Sequence, residues 1–248
     1  MADIEVGAPA ELAPRLAARL ETIARAAVEA RGRFTLAIPG GSVAEAFLPA
    51  LAAASVPWSL TDVFWTDERC VPAESPDSNF GAARRLLFGA GPAAGARLHQ
   101  IAADRPDAAA AAERELIAVA GPGGRLDLIL LGVGEDGHVC SLFPGNAAMA
   151  EAERLVVMVL DAPKPPPRRI SLTMPVLAAA DHLWVGAFGA GKAAVVGAAL
   201  TDPGDDRPVS RGVRAGRRVT WWLDPAAAGR SAGLSSAGFA GEETLPRS

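Results

Sequence analysis

The sequence predicts an α/β fold, a three-layer sandwich in which helices cover both faces of a mostly parallel, Rossmann-like sheet. Short apolar runs alternate along the chain with longer segments of helical periodicity, the pattern of parallel strands joined by crossover helices. The apolar runs are continuous, as in strands that are buried on both faces. The chain has 248 residues, half of them hydrophobic, and is long enough to bury such a core.

The first predicted element is a helix over residues 9–31, because Leu12, Leu16 and Leu20 recur at helical spacing and Gly32 closes the helix. The clearest buried strand covers residues 127–131. The same criteria give further strands at residues 34–38, 63–65, 155–160, 183–188 and 219–223, and further helices from residue 43, over 81–88, over 107–120 and over 191–200. We expect one α/β domain over residues 1–228. An Ala-, Gly- and Ser-rich tail begins near Ala226, and we expect residues 229–248 to be flexible.

Composition and charge exclude several classes of function. The net charge is −4 and the sequence pI is about 5.5, so the chain has no global positive field for nucleic acid or an anionic membrane. No apolar run approaches the roughly 20 residues of a membrane span, and the N-terminus has no signal-peptide core. Cys70 and Cys140 form neither a disulfide framework nor zinc-ligand spacing. We therefore expect a cytoplasmic protein with no nucleic-acid or membrane partner. We also expect a monomer, because no extended apolar surface is evident in the sequence.

Polar and glycine-rich loops follow four of the predicted strands. In open parallel sheets, ligands bind outside the carboxyl ends of the strands, so such loops meet at one crevice although they are distant in sequence. A proline- and arginine-rich loop does not directly follow a predicted strand but carries further cations. The five candidate loops are residues 39–42 (PGGS), 66–69 (TDER), 132–138 (GVGEDGH), 163–169 and 189–192 (GAGK).

The loop at Gly40, Gly41 and Ser42 is a candidate phosphate cradle. Glycines between a strand and a helix let backbone N–H groups approach an anion, and the helix N-terminus adds favourable partial charge. The alternative is a tight turn in which Ser42 caps the helix. Arg169 offers a guanidinium fork and Lys192 a point charge in another strand-to-helix junction, although either one alone is also typical of an ordinary surface charge.

The segment at residues 66–69 places Asp67 and Arg69 directly after a buried strand. We predict that these groups line the ligand crevice, and the alternative is a solvated loop whose charges pair with each other.

The stretch at residues 132–138 is the most informative. Its glycines match GxGxxG, but a dinucleotide site is not indicated: the strand lies mid-chain, Phe143-Pro144-Gly145 interrupts the following helix, and no acidic strand end follows at the required distance. A flexible loop that presents His138 as a base fits better, with Asp136 able to raise its basicity. The alternative is that His138 is a structural loop histidine. His99 and His182 flank predicted strands, and we interpret those two as structural. No metal-ligand cluster and no GxSxG nucleophile elbow occur.

Five segments together resemble the 6-phosphogluconolactonase family in order and spacing. The resemblance covers roughly residues 10–228 and is most specific at 130–145. The segments are IPGGS near residue 40, WTDERCVPAESPDSN at 65–79, LLGVGEDGHVCSLFPG at 130–145, KPPPRRISLT at 164–173 and GAGK at 189–192. The resemblance implies a fold shared with glucosamine-6-phosphate deaminases and distantly with ribose-5-phosphate isomerases and CoA transferases. It also implies hydrolysis of a sugar-phosphate substrate, the lactone of 6-phosphogluconate, in the oxidative pentose phosphate pathway without metal or organic cofactor.

The resemblance also assigns residues. His138 would be the catalytic residue, and Asp67 and Arg69 would line the site. Substrate or phosphate would be held by Gly41, Ser42, Arg169 and Lys192. Arg168 falls where another residue is usual and receives no role.

A mechanism follows as a hypothesis. Neutral His138 takes a proton from water, the hydroxide attacks the lactone carbonyl, and Arg69 or loop amides stabilise the oxyanion. Either Asp136 or Asp67 orients the imidazole, and the sequence leaves both open. An amino-sugar-phosphate deaminase or isomerase is the nearest alternative, but that branch continues its histidine loop with Asn-Glu-Pro where this chain has Leu142-Phe143-Pro144. A non-catalytic sugar-phosphate sensor is the other alternative.

Overall fold

The computed structural model describes residues 2–229 of the chain. The tail predicted for residues 229–248 therefore lies outside the described residues, apart from Gly229.

Within residues 2–229, ten strands form two sheets. In chain order they are β1 (Asp3–Val6), β2 (Phe34–Ile38), β3 (Thr61–Trp65), β4 (Asp67–Arg69), β5 (Arg97–Leu98), β6 (Leu128–Gly132), β7 (Val156–Val159), β8 (Arg169–Leu172), β9 (His182–Ala187) and β10 (Val219–Leu223). Seven of them make a parallel sheet in the order β1-β10-β9-β6-β2-β3-β5. The predicted fold class, with a mostly parallel central sheet flanked by helices, is confirmed.

Eight α-helices accompany the strands in the described part of the chain. They are α1 (Pro9–Arg31), α2 (Gly41–Ala52), α3 (Asn79–Ala83), α4 (Ala108–Ala120), α5 (Met174–Ala179), α6 (Ala193–Thr201), α7 (Pro208–Ala215) and α8 (Pro225–Ala228). The helix predicted over residues 9–31 is confirmed, and its Leu12, Leu16 and Leu20 are fully buried. The helix predicted over 81–88 is instead α3 followed by one π-helical turn at Arg84–Phe88. None of the helices among residues 2–229 is both long enough and apolar enough to cross a lipid bilayer.

A second, antiparallel sheet in the order β4-β8-β7 differs from the sequence prediction. The segment at residues 66–69 was predicted as a loop, but Asp67–Arg69 forms β4 and pairs with β8. The strand predicted at residues 155–160 exists as β7 but belongs to this smaller sheet. A search for hydrophobic periodicity does not detect this three-residue strand, because its residues are charged. The strand forms through backbone pairing with β8 rather than through apolar side chains.

The end of the described chain corrects another expectation. Residues 226–228 are not part of a mobile tail, because they belong to α8, where Ala227 and Ala228 are buried. The Asp224 carboxylate accepts a hydrogen bond from the Ala227 N–H at 2.7 Å, and Pro225 occupies the first helical position. The same carboxylate accepts from the Gly189 N–H at 2.9 Å, which ties α8 to the loop at residues 189–192.

Aromatic residues fill the core beneath the carboxyl ends of the strands. Trp184 and Trp222 meet edge to face with ring centroids 5.2 Å apart, and Trp65 lies 5.1 Å from the Phe80 ring. All three tryptophans are less than 2 % exposed, so the strand ends that carry the candidate loops are fixed by dense packing.

Candidate active site

The five candidate loops meet at one cavity of about 270 Å³ at the carboxyl ends of the central strands. Eight of the nine site residues predicted from the sequence line it: Gly40, Gly41, Ser42, Asp67, Arg69, His138, Arg169 and Lys192. The ninth, Asp136, lies behind His138. A larger cavity of about 490 Å³ near Ile4 and Val219 is lined by apolar residues and two arginines, with no histidine or carboxylate, and offers no base for catalysis.

The N-terminus of α2 forms one wall of this cavity. Gly40 is the N-cap, and Gly41 begins the helix with φ of 67°, a left-handed conformation that favours glycine. Ser42 lies in the first turn and is exposed. The alternative in which Ser42 caps the helix is therefore wrong. Unpaired N–H groups and a serine hydroxyl at the positive end of a twelve-residue helix suit an anionic ligand.

Asp67 is a buried carboxylate on the wall formed by β4. Its Oδ2 accepts a hydrogen bond from the Ser141 hydroxyl at 2.6 Å, and its Oδ1 accepts one from the Asn79 amide at 3.2 Å. The guanidinium of Arg169 lies 4.0 Å from Oδ2. Asp67 thus joins three segments of the site: the loop after His138, the start of α3, and β8.

Glu68 points away from the cavity and anchors the segment that follows β4. Its carboxylate accepts hydrogen bonds from the N–H groups of Arg69, Asn79 and Phe80 at 2.7–2.8 Å and from the Ser78 hydroxyl at 3.1 Å. Burial raises the pKa of Glu68 above its ordinary value, although these hydrogen bonds act in the opposite direction.

Arg69 and Arg169 are direct partners in the β4–β8 ladder. Arg69 donates from Nη1 to the Asp77 carbonyl at 2.7 Å, while its buried Nε has no partner among the described residues. Arg169 donates from Nε to the Pro166 carbonyl at 3.0 Å and from Nη2 to the Lys164 carbonyl at 3.0 Å. The fork of Arg169 is therefore largely occupied by the proline loop, and Nη1 is the nitrogen left for a ligand.

His138 and Asp136 form the central pair of the site. The imidazole Nδ1 lies 2.6 Å from Asp136 Oδ1, so the carboxylate that contacts the ring is Asp136 and not Asp67. A neutral ring that donates from Nδ1 has its lone pair on Nε2, the form required of a general base. Gly134 makes room for this pair, since a Cβ there would lie 2.0 Å from Nδ1 and 2.3 Å from the Asp136 oxygen.

The surroundings of His138 favour its neutral form. Burial lowers the pKa of His138 below its ordinary 6.5, and the charge of Lys164 lowers it further, while Asp136 and Asp67 act in the opposite direction. Partial burial is the largest single effect on Asp136 and raises its pKa, but the hydrogen bonds and charge of His138 together with the charge of Lys164 outweigh it, and the net pKa is lowered. The buried Phe143 ring packs against the imidazole with centroids 4.5 Å apart.

Two lysines complete the cavity. Lys192 precedes α6, and partial burial lowers its pKa while the Glu135 carboxylate opposes that change. Lys164 belongs to the loop at residues 163–169 and lines the same cavity. Sequence reasoning missed Lys164, although its position directly before Pro165 is a usable signal because proline stiffens the backbone that carries it. Arg168 is exposed, and it is not among the residues that line the cavity.

Ser141 and Asn79 were also missed as parts of the site. Both residues hydrogen-bond Asp67, which is distant from them in the sequence. Local sequence patterns do not predict a hydrogen bond between residues so far apart. Ser141 is fully buried and donates to Asp67 rather than to His138, so no Ser-His-Asp triad forms with it. Within residues 2–229 no group of three or more histidine, cysteine, aspartate or glutamate side chains is arranged as a metal site.

The fold and the cavity define a class: an α/β protein that presents a carboxylate-oriented imidazole beside a helix N-terminus and several cations, a set suited to acid–base chemistry on a small phosphorylated ligand. The family model described as glucosamine-6-phosphate isomerases/6-phosphogluconolactonase matches residues 7–222. The chain belongs to this family.

Individual relatives agree with this assignment. A 6-phosphogluconolactonase of Streptomyces coelicolor is 38 % identical over 233 residues, covering 88 % of this chain and 89 % of the relative. One from Rattus norvegicus is 38 % identical over 232 residues, covering 89 % and 90 %. Among solved structures, a 6-phosphogluconolactonase from Trypanosoma cruzi superposes with a TM-score of 0.81 at 27 % identity, covering 92 % of this chain and 96 % of that one. The resemblance inferred from the five sequence segments is confirmed.

Proposed function

We propose that this protein is an enzyme that hydrolyses 6-phospho-D-glucono-1,5-lactone to 6-phospho-D-gluconate, a step of the oxidative pentose phosphate pathway. The observation that carries the proposal is the His138–Asp136 pair, with 2.6 Å between Nδ1 and Oδ1, in a cavity that also holds a helix N-terminus and four cationic side chains. The names of the relatives support the same substrate.

The phosphate anchors the substrate. Its oxygens accept hydrogen bonds from the backbone at Gly41 and the hydroxyl of Ser42, with Lys192 and the free Nη1 of Arg169 supplying positive charge. A glycine turn at a helix N-terminus next to a lysine is a common arrangement for phosphate recognition. Anchoring at the far end of the sugar fixes the lactone carbonyl near the imidazole.

His138 then carries the proton. Its Nε2 takes a proton from a water molecule as the water oxygen bonds to the carbonyl carbon, and the carbonyl oxygen becomes an oxyanion. When the ring C–O bond breaks, the same nitrogen returns the proton to the departing oxygen. Asp136 holds the ring in the required tautomer and stabilises the transient imidazolium. Arg69 lines the same cavity, and its guanidinium supplies positive charge that would stabilise the oxyanion. The route uses no metal and no organic cofactor.

An amino-sugar-phosphate deaminase is the second candidate within the same family. Phe143 disfavours it. The ring is 2 % exposed and packs between the imidazole and the Arg169 guanidinium, at the sequence position where the deaminase branch has a glutamate. A phenyl ring exchanges no proton with an amino sugar, so the acid that ring opening requires is missing here.

Location and assembly also remain proposals. We propose a cytoplasmic monomer. Cys70 and Cys140 are both free thiols, as suits a reducing compartment. The large hydrophobic side chains exposed on residues 2–229 are Leu60, Ile117 and Leu160, too few for an extensive apolar interface.

The test follows proton release from freshly generated lactone, with the spontaneous rate subtracted. The parent protein is expected to hydrolyse the lactone, and His138→Ala is expected to lose about 10²–10⁴-fold in kcat while remaining folded by circular dichroism. Ammonia release from glucosamine 6-phosphate, measured in parallel, would support the deaminase. Tight binding of 6-phosphogluconate without turnover would indicate a sensor, and parental activity in His138→Ala would refute the mechanism.

A further inference from the structure

The peptide group between Gly137 and His138 links the catalytic pair to a helix outside the cavity. Its N–H donates to Asp136 Oδ1 at 3.3 Å, and the same oxygen lies 2.6 Å from the imidazole Nδ1. Its carbonyl, on the opposite side of the peptide plane, accepts a hydrogen bond from the Val209 N–H of α7 at 3.0 Å. Because the peptide group is planar, the bond to Val209 fixes the direction in which the His138 N–H meets Asp136.

Gly137 makes this peptide group easy to rotate. Its φ is 86°, in the left-handed region where glycine is permissive. Two backbone hydrogen bonds close the loop, from the Gly134 N–H to the His138 carbonyl at 2.8 Å and from the Gly137 N–H to the Gly134 carbonyl at 3.0 Å. Neither of them involves the Gly137 carbonyl. The orientation of that carbonyl therefore depends on α7.

The first turn of α7 is suited to supply this donor. The N–H groups at the start of a helix have no partner within the helix. Val209 follows Pro208, the first helical residue, and is 1 % exposed. Its N–H therefore binds Gly137 in a place shielded from water and without loss of any hydrogen bond within the helix.

Arg207 holds the start of α7 against the catalytic loop. Its side chain covers Gly137, since a Cβ at Gly137 would lie 2.8 Å from Arg207 Cδ and 2.9 Å from Arg207 Cβ. Its Nε donates to Asp205 Oδ1 at 2.8 Å, and the other oxygen of Asp205 accepts from the Ser210 hydroxyl. The Asp205 carboxylate is 9 % exposed, so solvent screens this charge-assisted contact only in part. Arg207 is not among the residues that line the active-site cavity.

We propose that Arg207 is a positioning residue for the catalytic pair: it keeps the first turn of α7 against Gly137 and thereby holds the peptide group that aligns Asp136 with the imidazole of His138. Arg207 touches neither substrate nor the reacting atoms, and His138 remains the group that moves the proton. The inference rests on the proposed lactone hydrolysis.

The sign of the pH effect separates positioning from simple charge. Asp136 and Asp67 raise the pKa of His138, whereas burial, the largest effect, and the charge of Lys164 lower it. If the peptide group rotates and Asp136 moves away from the ring, the pKa of His138 falls and the acid limb of kcat/KM moves to lower pH. Loss of the Arg207 charge alone would shift the limb to higher pH.

The experiment compares Arg207→Ala and Arg207→Met with Arg211→Ala as the matched control. Arg211 lies one turn further along α7, donates from Nη1 to the Met149 carbonyl at 3.2 Å and is 39 % exposed, against 30 % for Arg207. Each variant is assayed for kcat and KM on fresh lactone across pH, with urea denaturation to verify folding.

Arg207→Ala is expected to lose about 10–10²-fold in kcat, the cost of a small displacement of a catalytic group, with its acid limb at lower pH. KM is expected to change little, because the phosphate-binding groups lie on other loops. Arg207→Met keeps a chain over Gly137 but loses the Asp205 contact, so a smaller shift in the same direction is expected. Arg211→Ala is expected to keep the parental kcat and pH profile.

NMR titration of the His138 ring protons measures the same pKa without turnover, and a lower value is expected in Arg207→Ala than in the parent. The inference is overturned if folded Arg207→Ala matches the parent in kcat and in this pKa, if its acid limb moves to higher pH, or if Arg211→Ala shows the same changes. Should Arg207→Ala fail to fold, an unshifted pKa in Arg207→Met overturns it. An inactive parent protein refutes the proposed function, while the titration still tests the role of Arg207.

Discussion

Replacing Gly134 by alanine tests the geometry of the catalytic pair most directly. The added Cβ would lie 2.0 Å from His138 Nδ1 and 2.3 Å from Asp136 Oδ1, between two atoms that are themselves 2.6 Å apart. Non-bonded heavy atoms settle near 3.5 Å, so the ring or the carboxylate must move by roughly 1.5 Å. A displacement of about 1 Å in a catalytic group costs about 10²-fold in rate. We expect Gly134→Ala to lose between 10²- and about 10⁴-fold in kcat, the upper bound being the whole contribution of a general base.

The assay is initial-rate hydrolysis of fresh lactone, with urea denaturation of the same samples to separate lost geometry from lost folding. Gly123→Ala is the matched control, because a Cβ at Gly123 meets no atom within 4 Å. It is expected to keep the parental rate. If folded Gly134→Ala hydrolyses the lactone as fast as the parent, the contact between imidazole and carboxylate is not needed for catalysis and the reasoning fails.

Two further substitutions separate the roles of the acidic groups. Asp136→Asn removes the charge that raises the pKa of His138, so the acid limb of kcat/KM moves to lower pH while the plateau falls by about 10²-fold or more; an unmoved limb would contradict the assignment. Ser141→Ala leaves Oδ2 of Asp67 without its buried hydroxyl donor and is expected to lower the free energy of unfolding by about 1–3 kcal/mol in urea, with a smaller loss of kcat than His138→Ala. Complete inactivity of a folded Ser141→Ala would point to a nucleophilic serine instead.

The central sheet was predictable because its strands are buried on both faces. Residues 34–38, 127–131 and 219–223 are mostly apolar, with one polar residue each, and each is a strand within one residue of the predicted bounds. The same logic placed the candidate loops at one sheet edge, since parallel strands end on the same side. β1 escaped notice because its four residues include two acids at a sheet edge, where one face meets solvent.

The details of the site were less accessible to sequence reasoning. The choice between Asp136 and Asp67 as the partner of His138 depends on the path of a six-residue loop, which periodicity does not describe. The sequence predicted that the guanidinium of Arg169 is free to bind phosphate. In the structure it donates to carbonyls three to five residues earlier, because the proline loop curves back toward it, and the sequence does not specify that curvature. The same curvature of the loop brings Lys164 to the cavity.

The short strand β4 has a consequence for how insertions are tolerated. Its three side chains alternate, so Asp67 and Arg69 reach the cavity while Glu68 turns to the opposite side and binds four donors. A slip of one position against β8 would exchange the two faces, sending an unpartnered carboxylate toward the substrate and leaving buried N–H groups without an acceptor. An insertion between β3 and β4 would therefore remove both the cavity wall formed by Asp67 and Arg69 and the Glu68 hydrogen bonds that support it. Residues inserted between 70 and 77 would leave the register of β4 against β8 unchanged.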